Sequence, residues 1–312
     1  MNIQPRHLRI FVALAHSLNF SRTADQFFIT QPSLSKAVKD FEDILGVALF
    51  ERSTRTVRLT HSGAELLPLA TQLLGELDGG LQQLQQLAGS VSRKLSIAAL
   101  PSLASTLLPV PVLHLQRQPQ NPVAIRIYDG SDSASVQRLL RYQVDFALAS
   151  SHAIGQELRY EELLRDRFVV VGAKSWHAAL ARPLSLDALA KLPVITMTDQ
   201  SSSAKYLMAA YLQKGKVFQP LLQLDQVGTI CSFVEQGVGV AVLPYLGAIP
   251  LLAVKGLRCQ DIVDGPVRSI GIVTRDSAKL SVLAEQALNL VTDAAQKLAN
   301  QRPEWLVTSR SK

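Results

Sequence analysis

The chain of 312 residues contains few cysteines and few aromatic residues, and it has no long apolar run. Its two cysteines, Cys231 and Cys259, are far apart in sequence and form no CxxC pair, so we expect two reduced thiols in a cytosolic protein. A redox sensor would instead need an exposed thiol with a lowered pKa, an alternative that the sequence leaves open. The six histidines show no metal-ligand spacing with one another or with cysteine. We therefore predict no metal site and no cofactor.

Two further absences concern location in the cell. No apolar run reaches the roughly 20 residues that a membrane helix requires, and residues 1–6 lack the pattern of a signal peptide. The chain is 47% hydrophobic with a mean hydropathy of +0.16, which predicts a folded protein. Its formal net charge of +7 favours a polyanionic partner. That charge is weak evidence by itself, because many basic proteins bind no nucleic acid.

The stretch 21–41 favours two short helices separated by a tight break. Thr30 is predicted to cap the second helix, and Pro32 suits its first turn, where a missing N–H is not needed. Apolar residues at helical spacing predict a buried stripe formed by Leu34, Val38, Phe41 and Leu45. The opposite face is polar and cationic, as a helix in a DNA major groove should be. The residues that we predict to contact DNA from this helix are Gln31, Pro32, Ser33, Ser35, Lys36 and Lys39.

Two helices are predicted on the N-terminal side of this one. The first helix of the pair should begin after Ser21 and bury Ala24, Phe27 and Phe28. Before it, residues 5–16 form an amphipathic pattern with one apolar side. Together with the second helix of the pair, these segments predict a three-helix domain.

After the three helices, residues 49–60 are predicted to form a small two-stranded wing. Arg52, Arg55 and Arg58 would lie near its tip and contact DNA phosphates or bases. The alternative is that helical stripes and exposed cations occur in any small helical domain. The ordered set of three helices, a wing and a basic tip favours a winged helix-turn-helix over residues 1–60.

Residues 61–92 are predicted to form one long helix without lysine or arginine. Ser62 and Glu65 have the spacing of a capping box. The leucine-rich seam that favours a partner helix comprises Leu66, Ala70, Leu73, Leu77, Leu84 and Leu87. The alternative is a helix that packs on its own chain. Each glycine of Gly79-Gly80 should cost about 1 kcal/mol relative to alanine, so we expect a local soft spot or a bend there.

From Arg93 onward, short apolar runs alternate with helical patterns, which predicts parallel α/β sheets. The predicted strands are 95–100, 123–128, 144–149, 168–173, 194–196, 238–243 and 269–273, and the predicted helices are 106–116, 135–142, 203–213, 228–236 and 278–299. Gly237 and Gly239 lack the third glycine of a dinucleotide fingerprint and precede a strand, so we interpret them as a tight turn.

In such sheets a ligand binds beyond the carboxyl ends of strands, where helices begin. Hydroxyl groups at three of these junctions are candidates for binding a small anion, and they belong to Ser102, Ser201, Ser202 and Thr229. Any one of them is more often an ordinary helix cap. Their joint placement favours an effector site.

The chain resembles the LysR-type transcriptional regulators. The residues that carry the resemblance are Leu8-Arg-Ile-Phe11, the 21–30 helix and turn, Gln31-Pro-Ser-Leu-Ser35, Leu45-Gly46, Leu49-Phe50-Glu-Arg52, and Leu59-Thr60 with Gly63. Thr23 and Phe28 depart from the family pattern, in which alanine and a polar residue are common. The resemblance weakens towards the C-terminal end.

The resemblance implies an α/β protein with an N-terminal winged helix-turn-helix, a long linker helix that dimerises in antiparallel fashion, and two α/β subdomains like those of a periplasmic binding protein. The implied boundaries are 1–60, 61–92 and 93–301, with subdomain I at about 93–164 plus 277–301, subdomain II at about 165–276, and a tail at 302–312. It also implies an effector bound in the cleft between the subdomains, a homodimer that assembles to a homotetramer, and no membrane partner.

We therefore expect a cytoplasmic, sequence-specific DNA-binding regulator that is controlled by a small, anionic effector and is not an enzyme. Its DNA site should be an imperfect inverted repeat, and RNA polymerase is a further candidate partner. One alternative is a solute-binding protein with a fused helical head, which the lack of a secretion signal disfavours. Another is an enzyme with an α/β core, but the sequence shows no nucleophile elbow, metal set or phosphate loop.

Overall fold

The structure is a computed structural model that describes residues 3–52, 57–87, 93–118, 123–151, 158–276 and 280–308. The chain divides into two compact units, one of residues 1–91 with 140–142 and one of residues 92–139 with 143–312. The first unit has its own hydrophobic cluster, and the second unit contains two more.

The first unit begins with the predicted three helices and wing: α1 (Pro5–Ser17), α2 (Phe20–Gln26), α3 (Gln31–Leu45), β1 (Phe50–Arg52) and β2 (Val57–Leu59). Aromatic rings form the centre of its core. The ring of Phe11 lies 6.0 Å from that of Phe41 and 5.7 Å from that of Phe50. These contacts join α1, α3 and the wing, because each element contributes one ring.

The wing is fixed to α3 by a side chain. Glu42 Oε1 accepts hydrogen bonds from the backbone N–H groups of Leu49 (2.8 Å) and Phe50 (3.1 Å). The two strands pair in antiparallel fashion with Glu51 opposite Arg58. Arg55 and the side chain of Arg52 lie outside the described residues.

A long helix, α4 (His61–Leu87), follows the wing. It runs through Pro68 and through Gly79 and Gly80 without interruption. The prediction that Ser62 caps this helix is wrong. The helix begins one residue earlier, and Thr60 Oγ1 accepts a hydrogen bond from the N–H of Gly63 at 3.0 Å.

The predicted seam of α4 faces two environments. Leu66 and Ala70 pack against the cluster formed by α1 to α3 and the wing, so this part of the helix is covered by its own chain. Leu73 is 45% exposed. The side chains of Leu84 and Leu87 lie outside the described residues. The alternative of packing on the same chain thus holds for the first turns of α4.

The second unit is a mixed α/β structure. Its elements are β3 (Arg93–Ala99), α5 (Pro101–Leu107), α6 (Pro109–Gln116), β4 (Val123–Asp129), α7 (Asp132–Leu140), β5 (Phe146–Ser150), β6 (Leu158–Gly172), α8 (Leu186–Leu189), β7 (Val194–Met197), α9 (Ser202–Gln213), β8 (Leu222–Leu224), α10 (Val227–Glu235), β9 (Val240–Pro244), α11 (Tyr245–Leu252), β10 (Arg258–Asp261), β11 (Val267–Arg275), α12 (Val282–Gln301) and β12 (Leu306–Thr308).

The strands form two groups that share β6, with the order β4-β3-β5-β11-β6-β9-β7-β8. β3 pairs in parallel with β4 and β5, and β7 pairs in parallel with β8 and β9, as the alternating pattern predicts. However, β6 pairs in antiparallel fashion with β9, β10, β11 and β12. The expectation of parallel sheets is therefore incomplete, since β11 runs against its neighbour β5 in one group and β6 runs against β9 in the other.

Three predicted elements differ from the observed ones. The strand expected at 168–173 is only the last part of the 15-residue β6. The helix expected at 106–116 is two helices, because Pro109 begins a new helix after Leu108. The segment 302–312, assigned to a tail, contains β12, which pairs with β6.

A β-bulge or similar irregularity interrupts the pairing of β11 with β6 between Ile270 and Gly271. A Cβ atom at Gly271 would collide with the backbone carbonyl oxygen of Glu161 and lie 2.8 Å from the ring of Tyr160. Glycine is therefore required for the close approach of the two strands at this point.

Candidate functional site

The N-terminal half of α3 presents a polar surface. Thr30 Oγ1 accepts a hydrogen bond from the N–H of Ser33 at 3.4 Å and lies 2.8 Å from the Ser33 hydroxyl. This cap confirms the predicted role of Thr30 and holds the Ser33 side chain at the helix entrance. Gln31 and Pro32 are exposed beside it. The predicted groove-facing residues therefore begin at a well-formed helix start.

The cations of α3 are exposed and its apolar stripe is buried. Leu34, Val38 and Phe41 are at most 2% exposed, whereas Lys36 and Lys39 are exposed. Ser35 is half-buried between these two faces. A helix with one buried apolar side and one exposed cationic side can lie on a polyanion without opening its core.

The wing contributes one exposed cation among the described residues. Arg58 is exposed on β2, opposite Glu51 on β1. Arg52 ends β1, and Arg55 lies outside the described residues.

The end of α2 contradicts one prediction. Phe28 was expected to be buried, but it is 96% exposed. Phe27 is half-buried, and Ala24 is buried as predicted. Thr23 is also buried, and its hydroxyl donates to the backbone carbonyl of Asn19 at 2.9 Å. The threonine that departs from the family pattern is thus accommodated by a hydrogen bond.

In the second unit, Ser102 lies in the first turn of α5 and contacts a buried ion pair. Arg268 Nη2 donates to Ser102 Oγ at 3.2 Å and to Asp166 Oδ2 at 2.6 Å. Arg268 is 2% exposed and Asp166 is 0% exposed. Asp166 Oδ1 also accepts a hydrogen bond from the N–H of Leu246, in the first turn of α11, at 3.3 Å.

Burial raises the pKa of the Asp166 carboxyl, and the Arg268 guanidinium and backbone N–H groups act against that rise. The two residues lie opposite each other on β6 and β11. The pair therefore links these strands to the starts of two helices, α5 and α11.

The other candidate effector residues occupy separate helix starts. Ser201 is the N-cap of α9, where its Oγ accepts a hydrogen bond from the N–H of Ser203 at 3.1 Å. Ser202 is buried in the same turn. Thr229 is exposed in the first turn of α10. The N-cap of α10, Gln226, forms no side-chain cap. Ser201 thus acts as the ordinary cap, while Thr229 lies beside N–H groups that no side chain caps.

A surface cavity of about 470 Å³ lies against β6, β11 and β12, and its lining residues are Glu162, Arg165, Arg167, Val267, Ser269 and Val307. None of the four predicted effector residues lines it. Its polar groups bind one another: Glu162 accepts hydrogen bonds from Ser269 Oγ (2.6 Å) and Arg165 Nε (3.1 Å). The cavity is an open groove in which Glu162, Arg165 and Ser269 are already paired, so the strand ends are the better candidates for an effector site.

Neither cysteine has the character of a reactive thiol. Burial raises the pKa of Cys259 to about 12, with Asp261 and Glu304 adding to the effect. Burial likewise raises the pKa of Cys231. A redox sensor needs a lowered thiol pKa, so the structure disfavours that alternative.

Sequence reasoning missed Arg268 and Asp166. A signal was present, because Arg268 alternates with Ile270 in a strand and therefore faces the same side as an apolar residue. A charged residue in that position predicts a buried partner of opposite charge. The partner itself could not be found from the sequence, since it is more than 100 residues away.

Among the described residues, no three His, Cys, Asp or Glu side chains are grouped as a metal site would require. Within the same ranges, no helix combines the length and the apolar character needed to cross a membrane.

Comparison with known proteins gives two family matches. Residues 5–64 match the bacterial regulatory helix-turn-helix proteins of the lysR family, and residues 88–296 match the LysR substrate binding domain. A probable HTH-type transcriptional regulator, LrrA of Synechococcus elongatus, is 31% identical over 253 residues, which cover 80% of this chain and 83% of LrrA.

Solved structures show the same architecture over nearly the whole chain. An OxyR cysteine-to-serine mutant of Corynebacterium glutamicum with bound H2O2 is 26% identical, with a TM-score of 0.58 and coverage of 97% of this chain and 98% of OxyR. Full-length CbnR in complex with its target DNA is 16% identical, with a TM-score of 0.63 and coverage of 94% and 100%. At that identity the CbnR likeness concerns the fold alone.

Proposed function

Because this chain belongs to the LysR family of transcriptional regulators and is not an enzyme, we propose that it binds a specific DNA sequence through α3 and responds to a small anionic effector. The observation that carries the proposal is the surface of α3. Its apolar side is buried in the domain core, and its exposed side is polar and cationic from the capped N-terminus onward. A regulator acts where the chromosome lies, which places it in the cytoplasm.

The residues divide into two roles on DNA. Gln31 and Ser33 lie at the groove entrance, where they can hydrogen-bond base edges, with Pro32 and Ser35 beside them. Three cations neutralise phosphates or read bases, namely Lys36, Lys39 and Arg52. Arg55 and Arg58 instead bind the neighbouring phosphates. CbnR, which shares the fold, has been solved in complex with its target DNA, which supports DNA binding as the function.

A homodimer presents two reading heads, so the preferred site is an imperfect inverted repeat. The exposed leucines of α4, such as Leu73 and Leu81, favour a partner helix on that side. We propose that dimers assemble further to a homotetramer and that RNA polymerase is contacted at the promoter.

The effector is proposed to bind at helix starts in the second unit, with contacts to Ser102, Ser201, Ser202 and Thr229. Ser102 Oγ accepts a hydrogen bond from the Arg268 guanidinium, which leaves its O–H group to donate to a carboxylate. The uncapped first turn of α10 offers further N–H groups near Thr229. Both features favour an anion.

Control by the effector requires two conformations with different affinity for it. We propose that the effector favours one arrangement of the two sheet groups that share β6. The change alters the spacing of the reading heads in the assembled protein, and therefore the promoter contacts. An effector that leaves DNA affinity and footprint unchanged would contradict this mechanism.

The test is selection of binding sites from genomic DNA with the purified protein at stated salt. We expect enrichment of an imperfect inverted repeat and affinity that falls with salt. Gln31→Ala should change the preferred sequence, whereas Arg55→Ala should weaken all sequences similarly. No enriched sequence from a folded, oligomeric protein would refute the proposal and favour a solute-binding role, and equal effects of both substitutions would refute the division of roles.

A further inference from the structure

Phe28 is an exposed aromatic residue in an uncommon backbone conformation. Its side chain is 96% exposed, which leaves nearly the whole ring in water. Its φ angle is +54°, in the left-handed region that residues with a Cβ atom rarely adopt. Both features are unfavourable in the isolated domain. A side chain that the fold does not use is a candidate for use in binding.

The conformation of Phe28 is imposed by the end of α2. The N–H of Ile29 bonds to the carbonyl oxygen of Ala24, and the N–H of Phe28 bonds to that of Asp25, both at 3.1 Å. These two bonds define a Schellman motif in which Phe28 holds the position usually occupied by glycine or asparagine. Ile29 packs against the core cluster. The backbone of Phe28 is thus fixed, and its ring is directed away from the domain.

The position of Phe28 is next to the surface assigned to DNA. It lies two residues before Thr30, which caps α3, and three before Gln31. Gln31, Pro32 and Ser33 are exposed in the first turn of α3. We therefore expect a duplex that α3 enters by its N-terminus to pass close to this ring.

The surroundings of Phe28 favour DNA over a protein partner. Its neighbours Asp25, Gln26 and Thr30 are exposed and polar, while Phe27 and Ile29 are half-buried. A protein interface needs a contiguous patch of several hundred Å². A single apolar side chain can, however, cover a thymine methyl group or the apolar side of a deoxyribose.

We infer that Phe28 is a further DNA-contacting residue whose ring covers an apolar group of the duplex beside the bases that α3 reads. The inference rests on the proposed function. It assigns to the turn between α2 and α3 a contact that is apolar and independent of phosphate charge.

The test compares Phe28→Asn with Phe28→Leu on the selected DNA site. Asparagine tolerates the left-handed conformation, so Phe28→Asn should leave Tm unchanged or raise it. Its DNA affinity should fall about fivefold to tenfold, since the buried ring area is lost. Phe28→Leu keeps an apolar side chain and should retain most of the affinity. The slope of log affinity against log salt should not change, because no phosphate contact is removed.

Val47 provides a matched control. It is 44% exposed in the same domain and follows Gly46, the C-cap of α3. Helix α3 has 15 residues and spans about 22 Å, so Val47 is far from the groove entrance. Val47→Asn should leave DNA affinity unchanged.

Replacing each thymine by deoxyuridine then identifies the contacted group: a loss in the wild type that Phe28→Asn does not share indicates a methyl group, and an equal response indicates deoxyribose.

Four results would overturn the inference. Wild-type affinity in Phe28→Asn would show that the ring does not contact DNA, while leaving the proposed function intact. Equal losses in Phe28→Asn and Val47→Asn would show a general effect of the substitution. A change in oligomeric mass in Phe28→Asn without DNA would assign the ring to a protein interface. Failure of the wild type to bind any sequence would remove both the inference and the proposed function.

Discussion

The ion pair between Asp166 and Arg268 is almost completely buried in the second unit. Two opposite charges removed from water are tolerated only while both are present, because an unpaired buried charge has a large desolvation cost. The hydrogen bonds to Ser102 and Leu246 satisfy further polar groups of the pair. Loss of one partner should therefore destabilise the protein more than loss of both.

Asp166→Asn should lower the free energy of unfolding by about 3–5 kcal/mol, since it leaves the Arg268 guanidinium buried without a counter-charge. The double variant Asp166→Leu with Arg268→Met should lose less free energy of unfolding than the single variant, because no buried charge remains at the site. Urea denaturation of the three proteins measures both effects. A single variant within about 1 kcal/mol of the wild type would show that water reaches the pair.

For single residues, the sequence predicts those roles that depend only on neighbouring residues in the chain. The cap at Thr30 and the buried stripe of α3 depend only on neighbours along the chain, and both are observed. The burial of Phe28 was predicted wrongly, because helical periodicity was extended past the end of α2. The left-handed turn there rotates the side chain to the outside.

Two of the glycines of helix α4, Gly80 and Gly63, have opposite surroundings. A Cβ atom at Gly80 would meet no atom within 4 Å, whereas one at Gly63 would collide with the carbonyl oxygen of Leu49. Alanine at the first position should only remove conformational freedom from the unfolded chain. Alanine at the second must displace the backbone that leads into the wing.

Gly80→Ala should raise the free energy of unfolding by about 0.5–1 kcal/mol. Gly63→Ala, the matched control in the same helix, should lower it. Hydrogen exchange across α4 gives a second readout, since Gly80→Ala should increase the protection of nearby amides. Uniform protection through Gly79 and Gly80 in the wild type would refute the soft spot that the sequence predicts.

The elements missed by sequence reasoning share physical causes. Most of β6 was missed because charged residues interrupt its apolar pattern, although antiparallel partners on both sides support it. Helix α11 was missed because it is almost entirely buried and contains Gly247 and Pro250, so it shows neither polar periodicity nor high helix propensity. Pairing with strands that are distant in sequence determines the structure of such segments, and a local sequence pattern does not reveal that pairing.

The two units of the whole molecule have separate cores. The cluster of α1 to α4 and the wing ends at Ala70, and the clusters of the second unit begin at Leu95. A unit that contains its own hydrophobic core can fold alone. The proposed DNA and effector functions should therefore be separable.

A fragment of residues 93–312 should unfold cooperatively, because the clusters of the second unit lie within it. It should lose the salt-dependent retention on random DNA that we expect of the full chain. Thermal unfolding and chromatography at increasing salt measure these properties, with the full chain as the reference. Retention of the fragment with the same salt dependence would contradict the assignment of DNA binding to the first unit.

The irregular pairing at Gly271 has a mechanical consequence for the molecule. Antiparallel strands keep their spacing through hydrogen bonds but differ widely in twist, and a bulge increases the twist locally. We therefore expect the paired strands β6 and β11 to twist about their long axis most easily at Gly271. A conformational change in one group of strands would then reach the other group as a rotation about the strand axis. An effector would therefore rotate one group of strands relative to the other and would not slide the two groups past each other.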